Sequence, residues 1–248
     1  TQAPKIAPRI KTNLRKIYAI SPVGVIACFC AGAASGSFWA LGPKYASLIG
    51  FEVPEVALLM SITLICGAVA QIPIGILSDH FDRRFVMVCV SGLSAAAGLS
   101  IMLLTNSEAL NPYLLIGIWG GFTFPIYGLA AAHANDFARP NQFVEVSSGL
   151  LLIYAFGAIA GPLAVAPLIS NGSAGALFGF NAVVQILLII FIIWRSTKRD
   201  SVPSEDHVRY IDALAAANSA SSVMNESIQD ELVEHSETQE ANDASLKQ

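Results

Sequence analysis

Charged side chains are scarce in this sequence. They make up 13% of its 248 residues, whereas a soluble domain carries about a quarter. The hydrophobic fraction is 54% and the mean hydropathy is +0.59. Long uncharged runs account for both values, which excludes an ordinary soluble domain and predicts a membrane protein.

The few charges are unevenly distributed. Residues 1–199 contain 12 Lys and Arg against 7 Asp and Glu, and residues 200–248 contain 2 against 11. The acidic segment 200–248 lacks a sustained apolar face, so we expect a solvated, disordered tail, although "HVRYIDALAAA" could form a short helix. Nothing in this pattern predicts a nucleic-acid partner.

Uncharged runs of membrane-spanning length recur along the chain, since a helix needs about 20 apolar residues to cross a bilayer. The last run continues from 146 to 194, and the turn signal "SNGSAG" divides it into two helices. The runs lack two-residue alternation, which argues against barrel strands. The sequence therefore predicts an all-α membrane protein with six transmembrane helices. The predicted spans are 17–43, 56–78, 85–107, 109–132, 146–169 and 174–194, within a bundle of residues 17–199.

Basic residues predict the orientation of these spans, because cytoplasmic loops are enriched in Lys and Arg. Eleven basic residues lie on one side and only Lys44 lies on the other. We therefore expect both termini of this segment to be cytoplasmic in a cell membrane, with residues 1–16 forming a basic linker. The eleven are Lys5, Arg9, Lys11, Arg15, Lys16, Arg83, Arg84, Arg139, Arg195, Lys198 and Arg199.

Residue sets typical of enzymes and metal sites are missing. The four histidines are scattered with no pair at i, i+4, the four cysteines lie inside apolar runs as buried cysteines do, and no glycine-rich phosphate loop occurs. "AASG" places Ser35 in a setting similar to the nucleophile turn of intramembrane serine proteases, but no histidine lies at its depth. We predict no catalytic residue, metal or cofactor, and an intramembrane hydrolase is the least favoured alternative.

No Asp, Glu, Lys, Arg or His lies within a predicted span. Because such groups usually form intramembrane proton relays, a relay housed wholly in these residues is excluded. Amides, hydroxyls and aromatic surfaces are left to contact a solute, although an interhelical hydrogen bond is an alternative role for Gln71. The predicted substrate-cavity residues are Trp39, Gln71, Trp119, Phe124 and Tyr127.

Small residues in "YAFGAIAGP" predict close helix packing in the fifth span. Gly157 and Gly161 are four residues apart and clear one helix face, and Pro162 removes a backbone hydrogen bond and favours a kink. Static packing explains such glycines, and so does a bundle that rocks.

The charged turn "GILSDHFDRR" resembles the loop signature of the major facilitator superfamily. Gly75, Asp79, Arg83 and Arg84 match the signature, and Asp82 stands where glycine is usual. "QIPIGILSDHFDRR", "GGFTFPIYGLAAAHAND" and "SSGLLLIYAFGAIAGP" resemble, in the same order, segments of the YcaD-like branch of that superfamily.

This resemblance implies the second half of a twelve-helix transporter, whose N-terminal six-helix half would be the partner in the lipid bilayer. It implies alternating-access transport of a small-molecule solute, with Gly75, Asp79, Asp82, Arg83 and Arg84 forming a conformational latch. Asp136, Arg139 and Glu145 are further expected partners of the latch. A non-transporting membrane scaffold or receptor is the alternative function.

Overall fold

The computed structural model describes residues 14–104, 111–139, 142–170, 173–198 and 209–215. Every regular element in these ranges is helical, and no strand occurs in them. The helices before the tail are α1 (Leu14–Ile20), α2 (Pro22–Leu48), α3 (Val53–His80), α4 (Arg83–Leu104), α5 (Pro112–Thr123), α6 (Pro125–Asp136), α7 (Phe143–Ser170) and α8 (Ala176–Ser196).

Six units of this fold are long and apolar enough to cross a membrane. They are α2, α3, α4, the α5–α6 pair, α7 and α8. This finding confirms the predicted all-α membrane fold and its number of spans.

The ends of the helices differ from the uncharged runs. The run that begins at residue 17 is interrupted at Ser21, whose hydroxyl accepts a hydrogen bond from the backbone N–H of Gly24 at 3.1 Å and caps α2. At its other end α2 continues past Pro43 and Lys44 to Leu48, since a lysine near a helix end can extend its ammonium group toward water.

The fourth span is two helices rather than one. Phe124 separates α5 from α6, and Pro125 begins α6. Proline has no N–H to donate to the preceding turn, so the interruption follows directly from the sequence. Residues 105–110, where the third and fourth predicted spans approach each other, lie outside the described residues.

The most extensive contact between helices is that of α2 with α7. A Cβ on Gly157 would overlap the backbone of α2 at Phe29, and a Cβ on Gly161 would overlap it at Ala33. Both predicted packing glycines therefore lie at a direct contact between two backbones, where any side chain would separate the helices.

The same contact is built from glycines of α2. A Cβ on Gly32 would overlap the carbonyl of Tyr154, and a Cβ on Gly36 would overlap the backbone of Ala158. Pro162 lies four residues after Ala158 and removes the helical donor to that carbonyl. The proline therefore frees the carbonyl that lies against Gly36, while α7 remains helical to Ser170.

One end of the bundle, here called the charged end, carries most of the described ionisable side chains. Asp79 and Arg83 lie where α3 ends and α4 begins, and Asp136 and Glu145 lie where α6 ends and α7 begins. Hydrophobic cores fill the bundle on both sides of its middle, with Met87 and Leu129 in one of them and with Trp119, Phe38 and Phe178 in the other.

The helices differ in how much of their surface the bundle covers. In the most apolar stretch of each helix, 22% of α3 and 33% of α7 is buried inside the bundle. The corresponding share is 67% for α2 and for the α5–α6 span. Large apolar side chains project from the uncovered side of α3, including Ile65, Val69, Ile72 and Ile76.

In its described part the tail forms a short helix within "HVRYIDALAAA", which the sequence allowed as the alternative to the expected disorder. Residues 210–215 are helical, and they bury Tyr210 and Ala213 to 4% and 1% exposure against the bundle. Burial of the Tyr210 ring stabilises this short segment. Its apolar face spans only a few residues, so the sequence of the tail shows no sustained apolar periodicity. The rest of 200–248, like residues 1–13 of the linker, lies outside the described residues.

Candidate functional site

Arg83 is the centre of a buried hydrogen-bonded cluster at the charged end. Its side chain is 1% exposed. Its Nε donates to Asp136 at 2.8 Å, its Nη1 to the hydroxyl of Ser78 at 2.9 Å, and its Nη2 to Asp79 at 3.0 Å. One guanidinium group thus connects the ends of α3, α4 and α6, using the fork geometry that suits arginine for carboxylates.

Both carboxylates of the cluster hold Arg83, but they differ in exposure. The side chain of Asp136 is 1% exposed and that of Asp79 is 25% exposed. Asp79 also accepts the backbone N–H of Tyr210, at 2.9 Å on one oxygen and 3.2 Å on the other. The acid of the signature turn therefore joins the bundle to the start of the tail segment.

Asp82 and Arg84, which the sequence predicts as latch residues, make local contacts in this structure. Asp82 accepts the backbone N–H of Arg84 at 2.8 Å, which is a helix N-cap on α4. The guanidinium of Arg84 lies over the ring of Phe137, 5.8 Å from its centroid, in a cation–π contact. These contacts fix the geometry of the turn around Arg83.

The three further residues that we expect as partners of the predicted latch make different contacts in the structure. Asp136 binds Arg83, whereas Glu145 binds Lys16 at 2.7 Å and so connects α7 to α1. Arg139 donates its backbone N–H to the side chain of Gln142 at 3.3 Å. The structure therefore brings only the first of these three into contact with the signature turn.

Tyr210 fills a slot between α3 and α6. A Cβ on Gly75 would overlap its ring, and a Cβ on Gly128 would overlap its hydroxyl. Burial raises the pKa of Tyr210 to about 12, while Arg83 lowers it and Asp79 raises it further to smaller extents, so the ring is neutral near pH 7. Gly75 of the signature thus admits an aromatic ring.

A cleft of about 270 Å³ lies between four helices, on the side of Gly75 away from the charged end. It is lined by α2, α3, the α5–α6 junction and α7. Its residues are Ser35, Trp39, Leu64, Gly67, Ala68, Gln71, Phe124, Tyr127 and Tyr154. Four of the five predicted cavity residues are thus brought together.

Aromatic rings form much of the wall of the cleft. Trp39 and Phe124 are stacked with an interplanar angle of 6° and centroids 5.9 Å apart, and Tyr127 meets Tyr154 edge-on at 5.0 Å. The Tyr127 hydroxyl is buried without a hydrogen-bond partner among the described residues. A solute would therefore meet flat apolar surfaces and a few neutral polar groups.

Trp119 lies behind the cleft and does not line it. Its indole is fully buried, packed edge-on against Phe124 and Phe178 and tilted on Phe38. Trp119 therefore supports the position of Phe124 and, unlike the other four predicted cavity residues, does not face the cleft.

The side chains that line the cleft are suited to contacting a small molecule through aromatic surfaces and neutral polar groups. The side-chain polar groups of the cleft are the hydroxyls of Ser35, Tyr127 and Tyr154, the amide of Gln71 and the indole N–H of Trp39. Among the described residues, no group of three or more His, Cys, Asp or Glu side chains could hold a metal ion.

Sequence reasoning missed three members of these sites, namely Ser78, Tyr154 and Tyr210. Ser78 is part of the quoted turn, but only the folded geometry directs its hydroxyl to Arg83. Tyr210 lies 131 residues from Asp79, and its only sequence signal is the short amphipathic spacing of the tail segment.

Two comparisons with known proteins identify relatives of this chain. The family model of the Major Facilitator Superfamily matches residues 24–225. The chain is similar to a protein of Escherichia fergusonii named as an uncharacterized MFS-type transporter, YcaD, with 31% identity over 186 residues that cover 73% of this chain and 46% of the relative. Its namesake in Salmonella arizonae is 32% identical over 171 residues, covering 69% of this chain and 44% of the relative. The chain spans about half the length of the curated relatives it matches.

Proposed function

This chain belongs to the Major Facilitator Superfamily, and on that premise we propose that it is the C-terminal six-helix half of a secondary transporter that moves a small solute by alternating access. The observation that carries the proposal is the cleft formed by α2, α3, the α5–α6 junction and α7. Solute sites of such transporters lie near the middle of the membrane between helices.

The partner in this proposal is a preceding six-helix half. The uncovered side of α3 supports it, because Ile65, Val69 and Ile72 are exposed there and leave a broad apolar surface unpacked. An apolar groove of about 550 Å³ between α3 and α5 continues this surface.

The charged end faces the cytoplasm in this proposal, as the count of basic residues predicts. The Arg83 cluster then holds the cytoplasmic ends of α3, α4 and α6 together, and Asp79 is its most accessible acid. We propose that Asp79 exchanges partners during transport, so that its bonds stabilise the state closed to the cytoplasm.

The test is solute flux by the complete protein in vesicles. We expect Asp79→Asn to reduce transport about tenfold or more while expression and membrane insertion persist, because a hydrogen bond to a charged group contributes about 1.5–3 kcal/mol. Glu145→Gln is the matched control, since this acid lies at the same end but pairs with the exposed Lys16. Unchanged transport by Asp79→Asn would remove the latch role.

Two further measurements address orientation and the alternative function. Cysteines introduced at residues 80–82 are expected to react with impermeant reagents only from the cytoplasmic side, and reaction from outside would reverse the proposed topology. A membrane scaffold or receptor would instead show no flux for any solute in a broad screen.

A further inference from the structure

The tail segment 209–215 is packed on the bundle by a short amphipathic face. Tyr210 and Ala213 are buried and Leu214 is partly buried, whereas Ile211 is 72% exposed. The spacing i, i+3, i+4 places the buried residues on one side of the helical turn. Arg209 and Asp212 pair with each other at 3.0 Å on the exposed side.

The position of Tyr210 relative to the cleft is fixed by neighbouring residues on two helices. On α3, Gly75 lies one turn closer to the charged end than Gln71, which lines the cleft. On α6, Gly128 directly follows Tyr127, another lining residue. The Tyr210 ring therefore occupies the gap between α3 and α6 at the charged-end side of the cleft.

Two features connect this ring to the latch. Its backbone N–H is shared between the two oxygens of Asp79, at 2.9 and 3.2 Å, beside the bond that Asp79 accepts from Arg83. Its hydroxyl is buried against Gly128 and has no hydrogen-bond partner among the described residues. The ring is thus held by packing and by the hydrogen bond of its own backbone N–H to Asp79. Because its hydroxyl makes no hydrogen bond among the described residues, the ring can leave the slot without breaking a side-chain hydrogen bond.

We propose that the segment 209–215 is a plug that closes the cleft on the charged-end side and competes for Asp79 with any other group that the latch binds. When Tyr210 leaves, the slot between Gly75 and Gly128 opens a route from the cleft to that side. This regulatory role rests on the proposed function for the meaning of the cleft, but docking of the segment can be measured without transport.

The first experiment measures access to the cleft in the full-length protein. A reporter cysteine replaces Ala68, which lines the cleft, after the native cysteines are removed, and an impermeant maleimide is applied to inside-out vesicles. We expect Tyr210→Ala to raise the alkylation rate at least about tenfold, because it removes a buried aromatic ring. Gly128→Ala should act in the same direction, since its new Cβ would displace the Tyr210 hydroxyl.

Matched variants separate plugging from a general effect of the tail. Tyr210→Phe keeps the ring and loses only an unpartnered hydroxyl, so it should label at the parent rate. Ile211→Ala changes an exposed neighbour and should also label at the parent rate. Labelling of Tyr210→Ala at the parent rate, or equal acceleration by Ile211→Ala, would overturn the plug.

Amide hydrogen exchange of residues 209–215 measures docking itself. The parent should protect these amides, and Gly128→Ala should expose them. Exchange at the rate of an unstructured peptide in the parent would overturn the proposal. If the labelling and exchange results hold while the parent moves no solute, the plug stands and the transport proposal fails, so the two failures are distinguishable.

Discussion

Arg83 shows how a charged residue can be buried at the boundary of a membrane bundle. Its guanidinium is 1% exposed and is satisfied by Asp136, Asp79 and Ser78. Removing one member of a buried pair leaves an uncompensated charge, which costs more than removing both members together. The stability of this end of the bundle therefore depends on all members of the Arg83 cluster being present.

A double-mutant cycle at Arg83 and Asp136 tests this dependence. We expect Asp136→Leu alone to lower the free energy of unfolding by about 3 kcal/mol, because Arg83 stays buried with one acid fewer. Arg83→Met combined with Asp136→Leu should cost less than the sum of the two single changes. Thermal and denaturant unfolding of the purified protein in detergent measure both quantities.

The ion pair of Lys16 with Glu145 is the matched control at the same end. Lys16 is 45% exposed in its side chain and Glu145 is 20% exposed. Removing Lys16 should therefore change stability by less than about 1 kcal/mol. Strict additivity of the Arg83 and Asp136 changes would contradict a coupled buried cluster.

The sequence predicted part of this cluster at the level of residues. Asp79 and Arg83 are four apart across a short turn, so their pairing could be anticipated, and Asp136 was expected as a partner because both loops lie on one side. The link from Asp79 to Tyr210 could not be anticipated, because tertiary packing brings together residues 131 positions apart.

The contact between α2 and α7 is the tightest feature at the scale of helices. Glycines on both helices place backbone against backbone, and the carbonyl of Ala158 that Pro162 leaves without a helical donor lies against Gly36. Such contacts gain their stability from van der Waals packing and from weak Cα–H donors. The smallest added side chain should therefore separate the two helices.

Gly161→Ala tests this packing, because its Cβ would overlap the backbone of Ala33. We expect a loss of about 1–3 kcal/mol in stability from overpacking, measured as a lower midpoint of thermal unfolding in detergent. Gly92→Ala is the control, since the nearest atom to its Cβ is Ile189 Cδ1 at 4.0 Å. Equal effects of the two changes would show that the contact is not limited by space.

Uncharged runs identify the six spans well because a bilayer demands long apolar helices. They identify the ends poorly, since α2 extends past Lys44 to Leu48 and breaks from α1 at Ser21. The division at Phe124 follows from Pro125, a signal that was present in the sequence.

At the scale of the whole molecule, the uncovered side of α3 is where we expect the proposed preceding half to pack. Ile72 is 66% exposed on α3, beside the cleft residue Gln71. In the complete protein we expect Ile72→Trp to lower stability by about 1–3 kcal/mol, because a larger ring cannot fit a packed interface. Thermal unfolding and gel filtration of the full-length protein measure this effect.

Ile190→Trp is the matched change on α8, where Ile190 is 57% exposed. Lipid accommodates a larger apolar ring, so this variant should behave as the parent. Tolerance of Ile72→Trp to the same degree would place that side of α3 against lipid instead of the other half.

The backbone contact of α2 with α7 also has a mechanical consequence. Because backbone lies against backbone at four glycines, the two helices should move together as one rigid pair. Ser35, Trp39 and Tyr154 belong to this rigid pair, whereas Gln71 and Tyr127 belong to the opposite wall of the cleft. We therefore expect the cleft to change width when the wall of α3 and α6 moves relative to the pair of α2 and α7, while that pair keeps its shape.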